Sequence, residues 1–335
     1  MKRIRRYLYG ADIDRFRFYV QILAFGVLMY GGYLAVDVGT QLPAFACPFA
    51  SGAGGTCYLY PLQHQTNLPL DQLFGGRGIG LLKGLGGFLI FFLVLNKAWC
   101  GFVCPLGTVQ DWMTRLRVRL KIRYANFAPA AFNRLKKVKY LLLVLLILLP
   151  WGMSNSLFGL PPLVHDYATP YCMVCPGRTV LPLASGDTRQ MTVDFSSKTR
   201  VVLTALGMAV TGIFFAGAFF KRRFFCLFCP MSALQYVFSG AGMLRMNKDG
   251  SKCTRCGNCL RVCDVGIVAI AENLETGNIV QDDCMMCFKC VAACPEEECL
   301  TVGFLGAPLY VSTEEGFYRR AAEGLRSGTE KTGSN

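Results

Sequence analysis

Four long apolar stretches dominate the pattern of hydrophobic and polar positions along the chain. Each is close to the roughly 20 residues that an α-helix needs to cross a bilayer, and the only charge within them is Lys83. Buried helices of soluble proteins rarely run this long without a charge. We therefore predict an all-α membrane domain, a four-helix bundle over residues 18–240. The predicted spans are Phe18 to Val36, Gly78 to Asn96, Tyr140 to Leu160 and Val201 to Phe220.

Composition favours a membrane over the cytosol. The chain has 335 residues, of which 53% are hydrophobic and 17% charged, and its mean hydropathy is +0.37. Soluble domains carry roughly 25% charged residues, so this composition argues against a cytosolic globular enzyme. Disordered chains are poor in apolar and aromatic residues, which excludes disorder for most of the sequence.

The net charge of +14 is explained by membrane topology. Lys and Arg are concentrated before the first span, after the second and after the fourth, while the loops near 39–77 and 161–198 are poorer in them. The positive-inside rule places both termini in the cytoplasm and these two loops outside. Residues 1–17 then form a basic cytoplasmic N-terminus, and we expect the membrane, and no nucleic acid, as a partner.

Basic and apolar residues alternate between Arg115 and Arg123. A period of two favours a β-strand over a helix, and positive charge attracts such a segment to the anionic inner leaflet. We therefore predict a surface strand in this loop.

The membrane domain contains an internal repeat marked by Cys-Pro dipeptides. Cys104-Pro105 follows the second span and Cys229-Pro230 follows the fourth, 125 residues later. In the outer loops, Cys47-Pro48 is echoed by Cys175-Pro176 at an offset of 128 residues. Near-equal offsets indicate duplication, so we predict two repeated helical hairpins.

The repeat and the topology sort eight cysteines into two groups of four, here called the inner quartet and the outer quartet. Each has the four thiolates that a [4Fe–4S] cluster needs, so one or two further clusters are open possibilities. Buried, inert thiols are the alternative for the inner quartet, and disulfides for the outer quartet, which faces an oxidising exterior. The inner quartet is Cys100, Cys104, Cys226 and Cys229; the outer quartet is Cys47, Cys57, Cys172 and Cys175.

A doubled cysteine motif over residues 245–305 predicts an α+β ferredoxin domain with two [4Fe–4S] clusters. Each run has the spacing Cys-x2-Cys-x2-Cys-x3-Cys, in which the fourth cysteine ligates the other cluster. Zinc is the competing interpretation, but a four-thiolate zinc site leaves the third and fourth cysteines of each run without a role. The predicted ligand sets are Cys253, Cys256, Cys259 and Cys294 for the first cluster, and Cys284, Cys287, Cys290 and Cys263 for the second.

Three details surround this motif. Asp264 stands after Cys263 where the pattern favours proline, as in Pro295 after Cys294. Cys299 is left over, and we interpret it as an ordinary thiol. Residues 311–335 read as a polar, disordered tail.

These features resemble the NapH/MauN group of membrane-bound ferredoxins, with related architectures in the membrane domain of NosR-type regulators and in CcoG/RdxA proteins. The segment WCGFVCPLGTVQDW, at residues 99–112, is similar to that group's signature, and the resemblance covers roughly residues 15–300. It implies electron transfer between membrane quinol and a respiratory or maturation partner, by a multi-pass protein of the cytoplasmic (inner) membrane of a prokaryote.

The leading hypothesis is an electron-transfer subunit of an oxidoreductase, quinol dehydrogenase-like, without catalytic residues of its own, that relays electrons between the quinone pool or a redox partner and cytoplasmic clusters. A transmembrane thiol–disulfide reductase that uses the outer cysteines is one alternative. A redox-sensing assembly or regulatory protein is another. With the quartets at opposite ends of spans, we expect the roughly 30 Å hydrocarbon core to separate them by more than one electron hop.

Overall fold

The computed structural model describes residues 13–37, 46–66, 75–123, 133–154 and 169–319. They form a mostly helical bundle followed by a small domain with a four-stranded sheet. In chain order the bundle helices are α1 (Ile13–Tyr30), α2 (Leu59–Thr66), α3 (Gly76–Leu95), α4 (Ala98–Phe102), α5 (Pro105–Arg119), α6 (Val138–Ser154), α7 (Pro170–Val174), α8 (Gly177–Ala184), α9 (Lys198–Phe220) and α10 (Pro230–Phe238).

Two helices among the described residues are long and apolar enough to cross a membrane, and they coincide with the second and fourth predicted spans. They are Gly78–Leu95, within α3, and Lys198–Phe220, which is α9. The first and third predicted spans fall on α1 and α6. The end of the third prediction, residues 155–160, lies outside the described residues.

Each half of the bundle contributes one inner helix, α5 or α10, that packs against long helices of both halves. Helix α5 packs against α1 of its own half and α9 of the other, while α10 packs against α6 and α3 in the same way. Each of these short helices begins at the proline of a Cys-Pro dipeptide, because proline is preorganised for the first helical turn and lacks only an N–H that has no partner there. These contacts bring the inner cysteines of both halves together at one end of the bundle.

The strand predicted between Arg115 and Arg123 is wrong, because α5 continues through Arg119. Its start at Pro105 and its tertiary contacts outweigh the alternating pattern. Arg117 is buried and donates a hydrogen bond to the Phe220 carbonyl at 3.1 Å, which places one basic residue of the alternation inside the bundle. Long side chains such as Arg and Leu are also good helix formers.

An antiparallel sheet of four strands organises the C-terminal α+β domain. The sheet continues beyond residue 305, and Ser312 is fully buried, where its hydroxyl accepts from Leu300 N–H and donates to Glu296 O. The remaining tail, residues 320–335, lies outside the described residues. The strands are β1 (Leu244–Lys248), β2 (Gly277–Asn278), β3 (Leu300–Phe304) and β4 (Ala307–Val311), and their order in the sheet is β2-β1-β3-β4. The short helices between them are α11 (Asn258–Arg261), α12 (Ala269–Glu272) and α13 (Lys289–Ala292).

One group of buried charges joins this domain to the bundle around Asp264. Its carboxylate receives Lys289 at 2.9 Å and Arg17 of α1 at 3.3 Å. Arg17 also pairs with Asp111 of α5, which Arg223 contacts through Nε at 2.8 Å. Although burial alone acts to raise the pKa of Asp264, the charges of Lys289 and Arg17 hold it below its usual range. The aspartate that replaces proline in the cysteine motif is therefore part of the domain junction.

A second group of buried charges lies on the other side of the junction. Lys139 of α6 has no exposed surface and contacts Asp283 at 2.6 Å and Asp282 at 3.3 Å. Lys97, also fully buried, donates to the Asp282 carbonyl oxygen. Asp264 and Asp283 immediately follow and precede predicted ligands of the second cluster, so the two groups of charges flank that site.

Removing a buried partner from this junction is predicted to be far more costly than removing an exposed one. Lys139→Met leaves Asp283 buried without its nearest cation, and such a loss typically costs about 3–5 kcal/mol. The matched control is Lys252→Met, whose pair with Glu298 at 3.2 Å is exposed and is worth at most about 1 kcal/mol. Denaturant unfolding of the detergent-solubilised protein measures both. Equal losses in the two variants would contradict the importance of the junction.

Candidate metal centres

Two cavities in the α+β domain coincide with the two predicted cluster sites. Each is lined by three cysteines from one run and the fourth cysteine of the other run. The first cavity has Cys253, Cys256, Cys259 and Cys294, with the leftover Cys299 beside them; the second has Cys263, Cys284, Cys287 and Cys290.

The loops that carry the cysteines repeat the same backbone conformation. In each run, the residues before and after the second cysteine have positive φ, and alternation with right-handed residues turns successive N–H groups inward to form an anion-binding concavity. Hydrogen bonds to sulfur follow from it: Met286 N–H reaches Cys284 Sγ at 3.4 Å. Such donors stabilise thiolates and influence the reduction potential of a cluster. The positive-φ residues are Arg255, Gly257, Met286 and Phe288.

The two cavities are neighbours. Ile270 lines both, and the Cys290 thiol interacts electrostatically with Cys259 across the boundary between them. Burial raises the pKa of Cys290 well above its usual value, and the surrounding cysteines raise it further. Deprotonation at this position therefore needs a compensating cation, which the iron of a cluster supplies.

The inner quartet meets where the Cys-Pro turns of both halves face each other. Burial raises the pKa of the Cys100 thiol to about 12, a direction that the charges of Cys229 and Cys226 reinforce. Cys104 in turn interacts with Cys100 and Cys226. The structure thus brings together the four predicted residues, two from each half.

A glutamine from one half holds a cysteine of the other half at this quartet. Gln110 donates through Nε2 to Cys226 Sγ at 3.8 Å and accepts, through Oε1, the N–H of Phe225 at 2.9 Å. We call this pair of bonds the glutamine clamp. Gln110 lies six residues after Cys104 and is 1% exposed.

Gln235 occupies the equivalent position of the second half, six residues after Cys229. Its Oε1 accepts from the Cys100 thiol at 2.8 Å, while its buried Nε2 has no hydrogen-bond partner. When Cys100 is a thiolate ligand, its sulfur can only accept, and rotation of the amide turns this orphaned donor toward it. The donor set therefore fits an iron–sulfur cluster. The repeated glutamine was visible in the sequence, but its spacing alone carries no known chemistry.

The inner quartet lies directly against the second cavity. A Cβ on Gly101 would stand 2.5 Å from Met285 O and 3.2 Å from Cys287 Cα, so only glycine allows this approach of backbone to backbone. Phe102 continues the contact by packing on Phe288, with ring centroids 5.3 Å apart. Lys97 lies between the two sites and interacts electrostatically with Cys100 and Cys284.

The outer quartet is also brought together, but not at the far end of the bundle. Cys57 interacts electrostatically with Cys172 and Cys175, and also with Cys229 of the inner quartet. Cys229 likewise interacts with Cys175. The expected separation of the two quartets by the full hydrocarbon core is therefore wrong, because the outer loops fold back into the bundle.

All 17 cysteines lie in the described residues, and all are free thiols. Within the described ranges, no three His, Cys, Asp or Glu side chains converge on a point as a single metal ion requires. In a [4Fe–4S] cluster the four thiolates bind four different iron atoms, so its ligands need not converge on one point.

Family comparisons connect these sites to iron–sulfur chemistry. A 4Fe-4S dicluster domain model matches residues 245–295, which include all eight ferredoxin cysteines. A 4Fe-4S binding domain model matches twice, at residues 78–123 and 203–247. The two matches are 125 residues apart, the offset of the inner Cys-Pro pairs. The outer quartet lies outside every matched range.

Curated relatives support the same conclusion. An uncharacterised protein of Methanocaldococcus jannaschii is 25% identical over 65% of this chain and 76% of its own length. The putative electron transport protein YccM of Escherichia coli is 27% identical over 65% of this chain and 54% of its own. The ferredoxin-type protein NapH of Escherichia coli is 25% identical, over 62% and 63%. No solved structure matches.

The alignment thus spans about half of YccM and less than two thirds of NapH. With the further match to a MauN protein, the comparisons confirm the resemblance to NapH/MauN-type ferredoxin proteins. They support iron–sulfur clusters and electron transport.

Replacing Gly101 is predicted to loosen the contact between the bundle and the second cavity. The Cβ of Gly101→Ala meets backbone atoms that cannot move aside, and such overpacking typically costs about 1–3 kcal/mol. Hydrogen exchange at residues 283–288 should accelerate in this variant. Gly86→Ala, where a Cβ has open space, is the matched control. Unchanged exchange in both variants would mean that the approach is not tight.

Proposed function

We propose that this chain is a membrane-bound electron-transfer protein that carries single electrons between cytoplasmic iron–sulfur sites and a donor or acceptor in the membrane. The observation that supports it best is the contact of Gly101, within the inner quartet, with Met285 and Cys287 of the second ferredoxin cavity. Protein backbone, and no open solvent, then lies between the two sites. An electron path from the bundle to the cytoplasmic domain needs such a contact.

A four-span membrane domain accounts for the surface of the bundle. Helices α1, α3, α6 and α9 all carry large, exposed apolar side chains, such as Leu23 at 71% exposure and Ile90 at 68%. Apolar patches of this extent on a soluble monomer are rare, whereas lipid favours them. The basic residues beside these helices support, by the positive-inside rule, a proposed topology with both termini and the ferredoxin domain in the cytoplasm. Further examples are Leu82, Leu141, Val202 and Ile213.

The eight cysteines of the two cavities are proposed to hold two [4Fe–4S] clusters, and the inner quartet a third. When bound, such a cluster accepts or donates one electron at a time. The thiolates give the third site negative charge, which Arg223 and Lys97 offset. Both are buried; Arg223 donates to the Cys100 carbonyl at 3.0 Å and interacts with Cys226.

The remaining residues of the junction position the proposed cluster sites and exclude water. Asp264 and Asp283 hold the second cavity against the bundle through Arg17 and Lys139. The glutamine clamp of Gln110 orients the cysteine of the opposite half. Each quinol supplies two electrons and two protons, so its oxidation would reduce two one-electron sites and release both protons. We propose the quinone pool and a respiratory or maturation protein as the two ends of the path.

Iron analysis of anaerobically purified protein tests the proposal. We expect at least about twelve irons, four for each of three sites. The double variant Cys100→Ser/Cys226→Ser should lose about four while keeping the ferredoxin EPR signals. A wild-type content of about eight that the double variant leaves unchanged would contradict the third site.

Quinol oxidation is tested in nanodiscs by cluster EPR. Quinol should reduce the clusters of the wild-type protein, and it should reduce those of the Cys100→Ser/Cys226→Ser variant at least tenfold more slowly. Serine keeps the size of the side chain, so a difference in the reduction rate reports the loss of the inner cluster site. Reduction at equal rates would show that electrons bypass the inner quartet. Outer cysteines that cycle through disulfides during turnover would favour the thiol–disulfide alternative.

A further inference from the structure

The outer loops reach far into the bundle beside α1. Gly54 N–H donates to Leu28 O of that helix at 3.0 Å, and Arg17 of the same helix donates to Gly101 O at 2.7 Å. The two points on α1 are eleven residues apart, which is about 16 Å along a helix axis. Half the thickness of a hydrocarbon core therefore separates the outer loop from the inner Cys-x3-Cys turn.

The outer quartet contains a second glutamine clamp. Gln63, fully buried, donates through Nε2 to Cys172 Sγ at 3.0 Å and accepts the N–H of Tyr171 through Oε1 at 3.1 Å. Gln63 lies six residues after Cys57, and Cys172 lies three residues before Cys175.

These relations repeat those of the inner quartet one for one. Gln110 follows Cys104 by six residues, and Cys226 precedes Cys229 by three. In both clamps, the glutamine of the first half bonds the first cysteine of the second half and the N–H of the residue just before it. Both amides also donate to the carbonyl four residues earlier in their own helix, at 2.9 Å and 3.3 Å.

The other three sulfurs of the outer quartet each lie near the backbone N–H of the residue two positions ahead. The pairs are Phe49 to Cys47, Leu59 to Cys57 and Gly177 to Cys175. Every sulfur of this quartet thus has an N–H group near it that favours its thiolate form, an arrangement similar to that of Met286 and Cys284 in the ferredoxin domain. Donors directed at all four sulfurs stabilise thiolates that bind a cation. A disulfide has no negative charge for them to stabilise.

Electrostatic contacts connect the four thiols across the two halves. Cys47 interacts with Cys175, and Cys57 with Cys172. A Cβ on Gly177, just after Cys175-Pro176, would touch Leu106 of α5 at 3.4 Å, so the outer turn packs on the helix that begins at the inner Cys104.

We infer that the outer quartet is a fourth [4Fe–4S] site, built on the same plan as the inner quartet and adjacent to it within the membrane domain. The inference rests on the proposed function, because it extends the same electron path. Cys47, Cys57, Cys172 and Cys175 are its ligands, and Gln63 is a positioning residue that orients Cys172. The site exchanges one electron with the inner quartet and makes no bond to substrate.

Iron and sulfide content of the full-length protein in detergent tests it. The wild type should contain about sixteen irons, and Cys57→Ser/Cys172→Ser about twelve. Combining this change with Cys100→Ser/Cys226→Ser should leave about eight, with the ferredoxin EPR signals intact as evidence of folding. Gly86→Ala, where a Cβ has open space and no cysteine is changed, is the control and should keep about sixteen.

Two results would overturn the inference. One is about twelve irons in the wild type, unchanged in Cys57→Ser/Cys172→Ser but lowered to about eight in Cys100→Ser/Cys226→Ser; the proposed function would then stand without the fourth site. The other is an outer disulfide, found by maleimide labelling of the denatured, unreduced protein. Failure of the proposed function looks different, since the inner variant would then leave the iron content unchanged.

Gln63→Leu separates positioning from folding. It should keep about sixteen irons but lower the reduction potential of one site, because an N–H donor to sulfur favours the more negative, reduced state. Gln110→Leu should do the same at the inner quartet, and Gln63→Asn, which keeps the amide on a shorter side chain, should recover part of the shift. An unchanged set of potentials in both leucine variants would contradict the role of the clamps.

Discussion

Burial of charge at the junction between the bundle and the ferredoxin domain is the constraint on which the other contacts depend. Asp264 and Asp283 are buried there and Asp111 is partly buried, and each is compensated by at least one buried cation within hydrogen-bond distance. A buried pair that loses one partner is costly, so the two domains have one favourable arrangement. That arrangement places Gly101 against Cys287. These ion pairs, whose residues are not among the predicted metal ligands, therefore set the spacing of the proposed electron path.

Duplication explains why the cysteines come in quartets. Each half carries only two thiols at either level of the bundle, and a cubane needs four, so neither half can complete a site alone. The packing of α5 and α10 against helices of both halves brings two thiols from each half together. The clamps of Gln110 and Gln63 also join the two halves, because each glutamine donates a hydrogen bond to a cysteine of the opposite half. The internal repeat thus brings together the cysteines of both proposed membrane-domain sites.

The sequence predicted well where spacing alone dictates chemistry and poorly where tertiary packing decides. The ferredoxin runs allow few other geometries, and the structure lines its two cavities with the predicted sets. The helical course of residues 115–119 was missed because contacts such as that of Arg117 with Phe220 O are invisible to a period-two pattern. The depth of the outer loops was missed because the positive-inside rule assigns sides of a membrane and carries no information on re-entry. Asp264 read as a lost proline, since its partners Arg17 and Lys289 are distant in sequence.

The exposure of the cysteines differs between the two ends of the proposed electron path. Cys47 of the outer quartet is buried in the bundle core, and two cysteines of the second ferredoxin cavity, Cys284 and Cys290, are also buried. Cys256, in the first cavity, is the one exposed cysteine of the 17. A soluble partner can approach a cluster closely only where a ligand reaches the surface, so under the proposed function the first cavity is the end at which such a partner would dock. The exposed side chains beside it carry both signs, with Arg255 and Lys252 near Glu298. A surface with charges of both signs is consistent with the transient docking that the proposed one-electron transfer would require.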